Sequence, residues 1–194
     1  MKTALVSGLL LSALFSVSAH AALNAGDKAP DFNAQASLAG KAFNYSFKDA
    51  LKKGPVVVYF YPSAFTGGCN LQAHTFAEKS DKFAALGATV IGVSLDSIGR
   101  LNAFSADPEY CAGKVAVASD PDGKIARSFD LSVADTPSGR KDTRGADIDH
   151  GRVDRVTYVV GSDGKIAATI GGVAPVANVD SALEAVSRLA AARR

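Results

Sequence analysis

The chain has 194 residues, of which 47% are hydrophobic and 21% charged, with a formal net charge of +2. That length and balance suit one domain with a real core and are short for two. They exclude a disordered chain, and with no long basic run nothing favours a nucleic-acid partner.

Residues 1–21 open with Met1-Lys2, continue as a nearly unbroken leucine-rich apolar run, and reach Ala19-His20-Ala21. A basic start, an apolar centre and an Ala-x-Ala site make a secretory signal peptide, and the run is too short for a transmembrane anchor. The expectation is cleavage after Ala21, a mature domain of residues 22–194, and an oxidising compartment such as a bacterial periplasm. Two cysteines in such a compartment, Cys69 and Cys111, would by default be joined as a structural disulfide.

Residues 22–55 are punctuated by Gly26-Asp27, Ala29-Pro30, Gly40 and Gly54-Pro55, leaving room for short strands at 32–36 and 42–45 and a helical turn at 47–51. VVVYF at 56–60, bounded by Gly54-Pro55 and Pro62, fits a buried strand. The turn Thr66-Gly67-Gly68 then delivers Cys69 where a helix can start. Ala73, Phe76, Phe83 and Leu86 recur at helical spacing, predicting a helix over 70–86 that Gly87 stops.

A β-branched run predicts a strand at 89–95, followed by a helix at 97–104, a strand at 115–118, a turn at 120–123 and a short helix at 125–129. Residues 135–154, dense in charge, Gly and Pro, read as a long loop or protruding hairpin. Two alternating runs at 156–160 and 166–170 flank Asp163-Gly164, a hairpin signal. Val179, Leu183, Val186 and Leu189 predict a closing helix over 176–192. Asp-Gly-Lys-Ile recurs at 122–125 and 163–166, which is turn chemistry rather than a repeat. Strands alternating with helices make an α/β layer fold.

The chemistry concentrates at Cys69. A thiol at a helix N-terminus lies among unpaired N–H groups at the positive end of the helix dipole, and both favour the nucleophilic thiolate. Thr66 is placed to cap that helix, and Pro62 to end the strand before it. The competing reading is a buried structural cysteine beside a glycine turn. His74 and His150 have no paired metal spacing with the cysteines, so neither a metal nor a cofactor is expected.

The string YFYPSAFTGGC, with its Pro62-x-x-x-Thr66-x-x-Cys69 spacing, resembles the active-site motif of the peroxiredoxins, and most of all the bacterioferritin-comigratory or peroxiredoxin Q branch. GDKAPDF at 26–32 resembles their N-terminal signature. The resemblance, over residues 23–192, implies a thioredoxin-like α/β fold with a central mixed sheet flanked by helices. It implies a thiol peroxidase for hydrogen peroxide or alkyl hydroperoxides in which Cys69 becomes a sulfenic acid. Thr66 would hold peroxide and sulfur, Pro62 would shield the sulfur, and Arg155, in Arg155-Val-Thr-Tyr158, would be the active-site arginine.

Cys111 would resolve the sulfenic acid as an intramolecular disulfide once the Cys69 helix unwinds; the alternative is a one-cysteine enzyme with an inert Cys111. A thioredoxin-like dithiol would re-reduce a monomer or homodimer. Two positions depart from the family pattern. Gln72 stands where many relatives carry a glutamate that bridges arginines, which puts that bridging in doubt, and His74 stands where one group has its second cysteine. Two rivals remain: a disulfide oxidoreductase, although Thr66 occupies the first place of Cys-x-x-Cys, and a metal-binding or delivery module, which needs two close cysteines and a histidine.

Overall fold

A computed structural model describes residues 22–192, so the signal segment expected at 1–21 lies outside the described residues. The elements in order are β1 (Asn33–Leu38), β2 (Lys41–Ser46), α1 (Phe47–Leu51), β3 (Val56–Phe60), α2 (Gly67–Glu78), α3 (Ser80–Ala85), β4 (Thr89–Ser94) and α4 (Ile98–Ala106). There follow β5 (Ala116–Ser119), α5 (Lys124–Ser128), β6 (Val133–Ala134), β7 (Arg152–Val153), β8 (Val156–Val160), β9 (Ile166–Gly171) and α6 (Pro175–Ala191).

Seven strands form one sheet in the order β2-β1-β5-β4-β3-β8-β9. β3, β4 and β5 run parallel, while β1 and β8 join them antiparallel, so the sheet is mixed. β3 is buried at every position because both of its faces are covered. Val57 and Tyr59 point into a core roofed by α2, α3, α4 and α6, and Val56, Val58 and Phe60 into a second core under α1 and α5. The thioredoxin-like α/β arrangement expected from the sequence is the one observed.

Two local features bear on function. The helix expected over 70–86 starts at Gly67 and is broken at Lys79. Near the break the Thr75 hydroxyl donates to the Leu71 carbonyl and the Ser80 hydroxyl to the Ala77 carbonyl, a competition with the backbone ladder that weakens a helix interior. The bend lets Phe83 pack on Phe76 in the same core. The earlier start puts Cys69 inside the first turn of α2. The second concerns the charged stretch, expected as a long loop or protruding hairpin and found as a long loop. β6 and β7 pair at its base, and Thr143, Arg144 and His150 bring part of it against the turn that precedes Cys69, while most of its other residues are exposed.

β4 has to be thin where it passes Tyr59. A Cβ built on Gly92 would come within 2.5 Å of the Tyr59 ring and 2.6 Å of its hydroxyl. Tyr59 cannot retreat, because it stacks on Phe76 and Tyr61 with centroids 4.5 and 5.4 Å away. Gly92→Ala is therefore expected to destabilise the fold by about 1–3 kcal/mol, the usual cost of overpacking a core. Denaturant titration of the two proteins measures this.

Candidate active site

Cys69 sits one turn beyond the end of β3, its side chain only 3% exposed. Its N–H and that of Asn70 donate to the Thr66 carbonyl, closing the first turn of α2. Arg155, from the residue just before β8, reaches across to it. Its Nη2 donates toward Cys69 Sγ at 3.5 Å. The approach requires Gly68, since a Cβ there would lie 3.1 Å from Nη2 and 3.5 Å from Pro175 Cγ. Register explains the meeting: Phe60 pairs with Val156, so the strand end that leads to Cys69 is adjacent to the start of the strand that carries Arg155.

The other nitrogen of the guanidinium, Nη1, donates to Gln72 Oε1. Gln72 is fully buried and its Nε2 donates to Asn178 Oδ1 at 2.9 Å. Asn178, also fully buried, accepts from the Thr157 hydroxyl at 2.5 Å and donates to the Ile170 carbonyl at 3.1 Å. Gln72 thus keeps hold of an arginine through an uncharged amide. Arg152 lies elsewhere, donating to the Asp135 carbonyl.

Thr66 occupies the N-cap position of α2, yet its hydroxyl makes no cap hydrogen bond; it donates to the Ser63 carbonyl at 2.8 Å. Pro62, half-buried, links β3 to that turn. Phe65, one residue before Thr66, has φ of +59°, a conformation costly for a bulky side chain. It is pinned on every side. Thr143 donates to its carbonyl from both N–H (2.8 Å) and hydroxyl (2.9 Å), the Arg144 guanidinium lies 3.1 Å over its ring, and Phe104 and Tyr110 pack edge-on against it.

A buried charge network fastens the strap formed by residues 135–154 to this turn. Asp96, two residues past β4, accepts from the Ala64 N–H at 2.8 Å, Ser94 at 2.7 Å, Arg100 Nε at 2.7 Å and His150 Nε2 at 2.9 Å. Arg100 also donates to the Ala64 carbonyl and pairs with Asp142, itself paired with Arg144. Burial is the strongest influence on the Asp96 carboxyl and raises it, but the His150 bond and charge with the Ala64 and Ser94 donors outweigh it and hold it below its ordinary 3.8. His150 Nδ1 faces the Gly151 carbonyl at 2.6 Å. Both ring nitrogens thus face acceptors, which only the imidazolium can satisfy. Burial pulls its pKa down most strongly, Arg100 adds to that, and Asp96 with the Gly151 carbonyl outweighs both, leaving it above 6.5.

Cys111, fully buried, follows α4 in a tight turn that includes left-handed Ala112 and Gly113. Both cysteines are free thiols, so the permanent disulfide that composition allows is not formed. Burial pushes the Cys111 thiol well up, and Asp107 adds to it. The two sulfurs line one core with Tyr59: burial holds the Tyr59 hydroxyl well above its ordinary range, the charges of Cys111 and Cys69 add to this, and Arg155 opposes it. His74 is half-exposed and stands 3.6 Å from Glu78. Among the described residues no cluster of His, Cys, Asp or Glu is placed to hold a metal ion, and no helix is long and apolar enough to cross a membrane.

The structure therefore brings Cys69, Thr66 and Arg155 to one place and leaves Cys111 apart in the same core. Sequence reading missed Asn178, although a polar residue in register with Ala182 and Val186 on a buried helix face is a usable signal. It also missed the pairing of His150 with Asp96, which is remote in sequence.

The sequence matches the AhpC/TSA family over residues 25–169. It is 31% identical over 144 residues to the peroxiredoxin Bcp of Escherichia coli, covering 74% of this chain and 83% of that protein. It is 30% identical over 114 residues to a chloroplastic 2-Cys peroxiredoxin of Hordeum vulgare, covering 57% and 54%. The chain thus spans about half the length of such plant relatives. The crystal structure of the peroxidoxin BcpB of Mycobacterium tuberculosis superposes with a TM-score of 0.71 at 26% identity, over 86% of this chain and 98% of that one. The bacterioferritin comigratory protein of Xanthomonas campestris superposes at 0.63 and 25% identity, over 80% and 91%.

Gly67 has open space around a Cβ, whereas Gly68 does not. Gly67→Ala is expected to raise stability by about 0.4–1 kcal/mol and leave Cys69 reactivity unchanged. Gly68→Ala should push Arg155 from the sulfur and slow alkylation of Cys69 by iodoacetamide at neutral pH. For His150, a raised folded pKa means stability fully present below about 6.5 and lost as pH rises through the folded value. Limited proteolysis within 135–149 should accelerate as pH is raised across that range in wild type, and much less in His150→Gln.

Proposed function

We infer the function of this chain from one premise: it belongs to the AhpC/TSA family, the peroxiredoxins, in the branch of the bacterioferritin-comigratory proteins. It is a thiol peroxidase that reduces hydrogen peroxide or alkyl hydroperoxides. The observation that carries this reading is the single guanidinium held 3.5 Å from a nearly enclosed cysteine sulfur at a helix start.

The Cys69 thiolate attacks the terminal peroxide oxygen; the S–O bond forms as the O–O bond breaks. Sulfur loses two electrons and becomes a sulfenic acid, and the leaving oxygen takes a proton to depart as water or an alcohol. Arg155 supplies a positive charge that stabilises both the thiolate and the developing oxyanion. The Thr66 hydroxyl already donates to Ser63, so its oxygen is left to accept from the peroxide O–H. Pro62 walls the site. Burial of Cys69 keeps water from the sulfur until substrate enters.

Cys111 then attacks the sulfenic sulfur, releasing water and forming a disulfide. That requires the Cα atoms to approach within about 7 Å, so α2 unwinds at its start. This end is suited to unwinding: it begins with two glycines, lacks a side-chain cap and has no acidic residue in its first turn. Release of Phe65 from its left-handed conformation favours the same motion. The Pro108-Glu109 turn, just before Cys111, borders exposed Leu71 and half-buried Asn70 and His74 on α2. A thioredoxin-like dithiol restores the two thiols. Residues 1–21 direct a single mature domain, 22–194, to an oxidising compartment such as the periplasm, as a monomer or homodimer.

The test is peroxide consumption by residues 22–194 with dithiothreitol, followed by mass spectrometry after one equivalent of peroxide. Cys69→Ser should abolish turnover. Wild type should give a 69–111 disulfide, and Cys111→Ser a sulfenic acid at Cys69. Undiminished turnover in Cys111→Ser would replace the two-cysteine mechanism by a one-cysteine one, and no consumption by wild type would overturn the peroxidase reading.

A further inference from the structure

We propose that Asn178, on the closing helix, is a positioning residue for Arg155, and that it acts through an uncharged relay with Gln72 that leaves the whole guanidinium charge for Cys69. The proposal rests on the reading of Cys69 as the reacting group. The relay has one polarity from end to end. The Ile170 carbonyl can only accept, so the Asn178 amide nitrogen turns to it and Oδ1 turns inward. The Thr157 hydroxyl, able to donate or accept, follows that choice and donates to the inward-facing oxygen.

Gln72 must then present Nε2 to Asn178, and its Oε1 necessarily faces Arg155 Nη1. Rotating the Gln72 amide by half a turn would set acceptor against acceptor at Asn178 and donor against donor at Arg155. All three side chains on the relay, Gln72, Thr157 and Asn178, are fully buried, so no water relieves a mismatch. A backbone carbonyl on β9 thereby decides which way the guanidinium is held, two side chains away.

Neutrality is the second half of the device. An amide oxygen fixes Nη1 in place without cancelling its charge, whereas a carboxylate would form an ion pair with the same group. A glutamate at 72 would also turn its second oxygen on Asn178 Oδ1, two acceptors in contact. The relay as built selects an amide at 72.

The experiment compares wild type, Asn178→Ala and Gln72→Glu. It measures the pH profile of iodoacetamide alkylation at Cys69, read on the peptide by mass spectrometry, and the second-order rate of reaction with hydrogen peroxide. Circular dichroism checks folding. Asn178→Ala frees the Gln72 amide to rotate and should lower the peroxide rate roughly ten- to hundredfold, as loss of orientation does, with the alkylation profile moved to higher pH. Gln72→Glu should move the profile in the same direction and leaves α6 intact, so it decides the matter if Asn178→Ala does not fold. A folded Asn178→Ala with wild-type profile and rate overturns the proposal, as does an unmoved profile in Gln72→Glu. Should wild type fail to react with peroxide, the peroxidase reading falls, while the alkylation profiles still judge the relay.

Discussion

One contact organises this molecule: the approach of the Arg155 guanidinium to the Cys69 sulfur inside an almost closed pocket. A charge and a thiolate placed together away from water interact far more strongly than on the surface, provided both are held. Each neighbouring element contributes to the holding. β3 and β8 pair so that their ends lie side by side, Gly68 leaves room for the guanidinium, and α6 supplies the amide that closes the relay behind it. The relay takes in the central sheet, through Thr157, and the last strand, through Ile170.

The same pocket has to open. A sulfur enclosed for attack on peroxide lies out of reach of a second thiol, and Cys111 is itself buried with its thiol pushed towards the protonated form. The α2 start is intrinsically weak, and Phe65 before it is strained. What holds them is the strap at 135–154, through Thr143 on the Phe65 carbonyl, Arg144 on its ring, and the Asp96, Arg100, Asp142 and His150 network beneath. The closed form thus depends on ionic contacts from a segment outside the main sheet. Such contacts weaken when one partner loses its charge, which ties the stability of the closed site to the protonation of His150.

Part of this was legible in the sequence, and the division has physical causes. The buried strand at 56–60, the glycine turn and Cys69 are local features, where apolar run length and breakers carry the information. The hairpin at 156–170 and the closing helix were legible for the same reason. The break at Lys79 was not, because the hydroxyls of Thr75 and Ser80 that bond carbonyls beside it sit within an otherwise regular apolar pattern. The segment at 135–154 read as a long loop or protruding hairpin because its charges look solvated in sequence, whereas Asp142 and His150 are paired with Arg100 and Asp96, tens of residues away. In the sequence Gln72 put the bridging of an arginine from its position in doubt. Only its contact with Asn178, more than a hundred residues later, shows a different way of holding the same arginine.

The central claim is that Arg155 acts on Cys69 in the reaction with peroxide, and the most direct measurement is a single-turnover one. Fully reduced wild type and Arg155→Met are mixed with one equivalent of hydrogen peroxide by stopped flow, and sulfenic acid at Cys69 is quantified with time. Loss of one preorganised stabilising group should slow the reaction by about a hundredfold or more. Formation of the sulfenic acid at the wild-type rate in folded Arg155→Met would contradict the account.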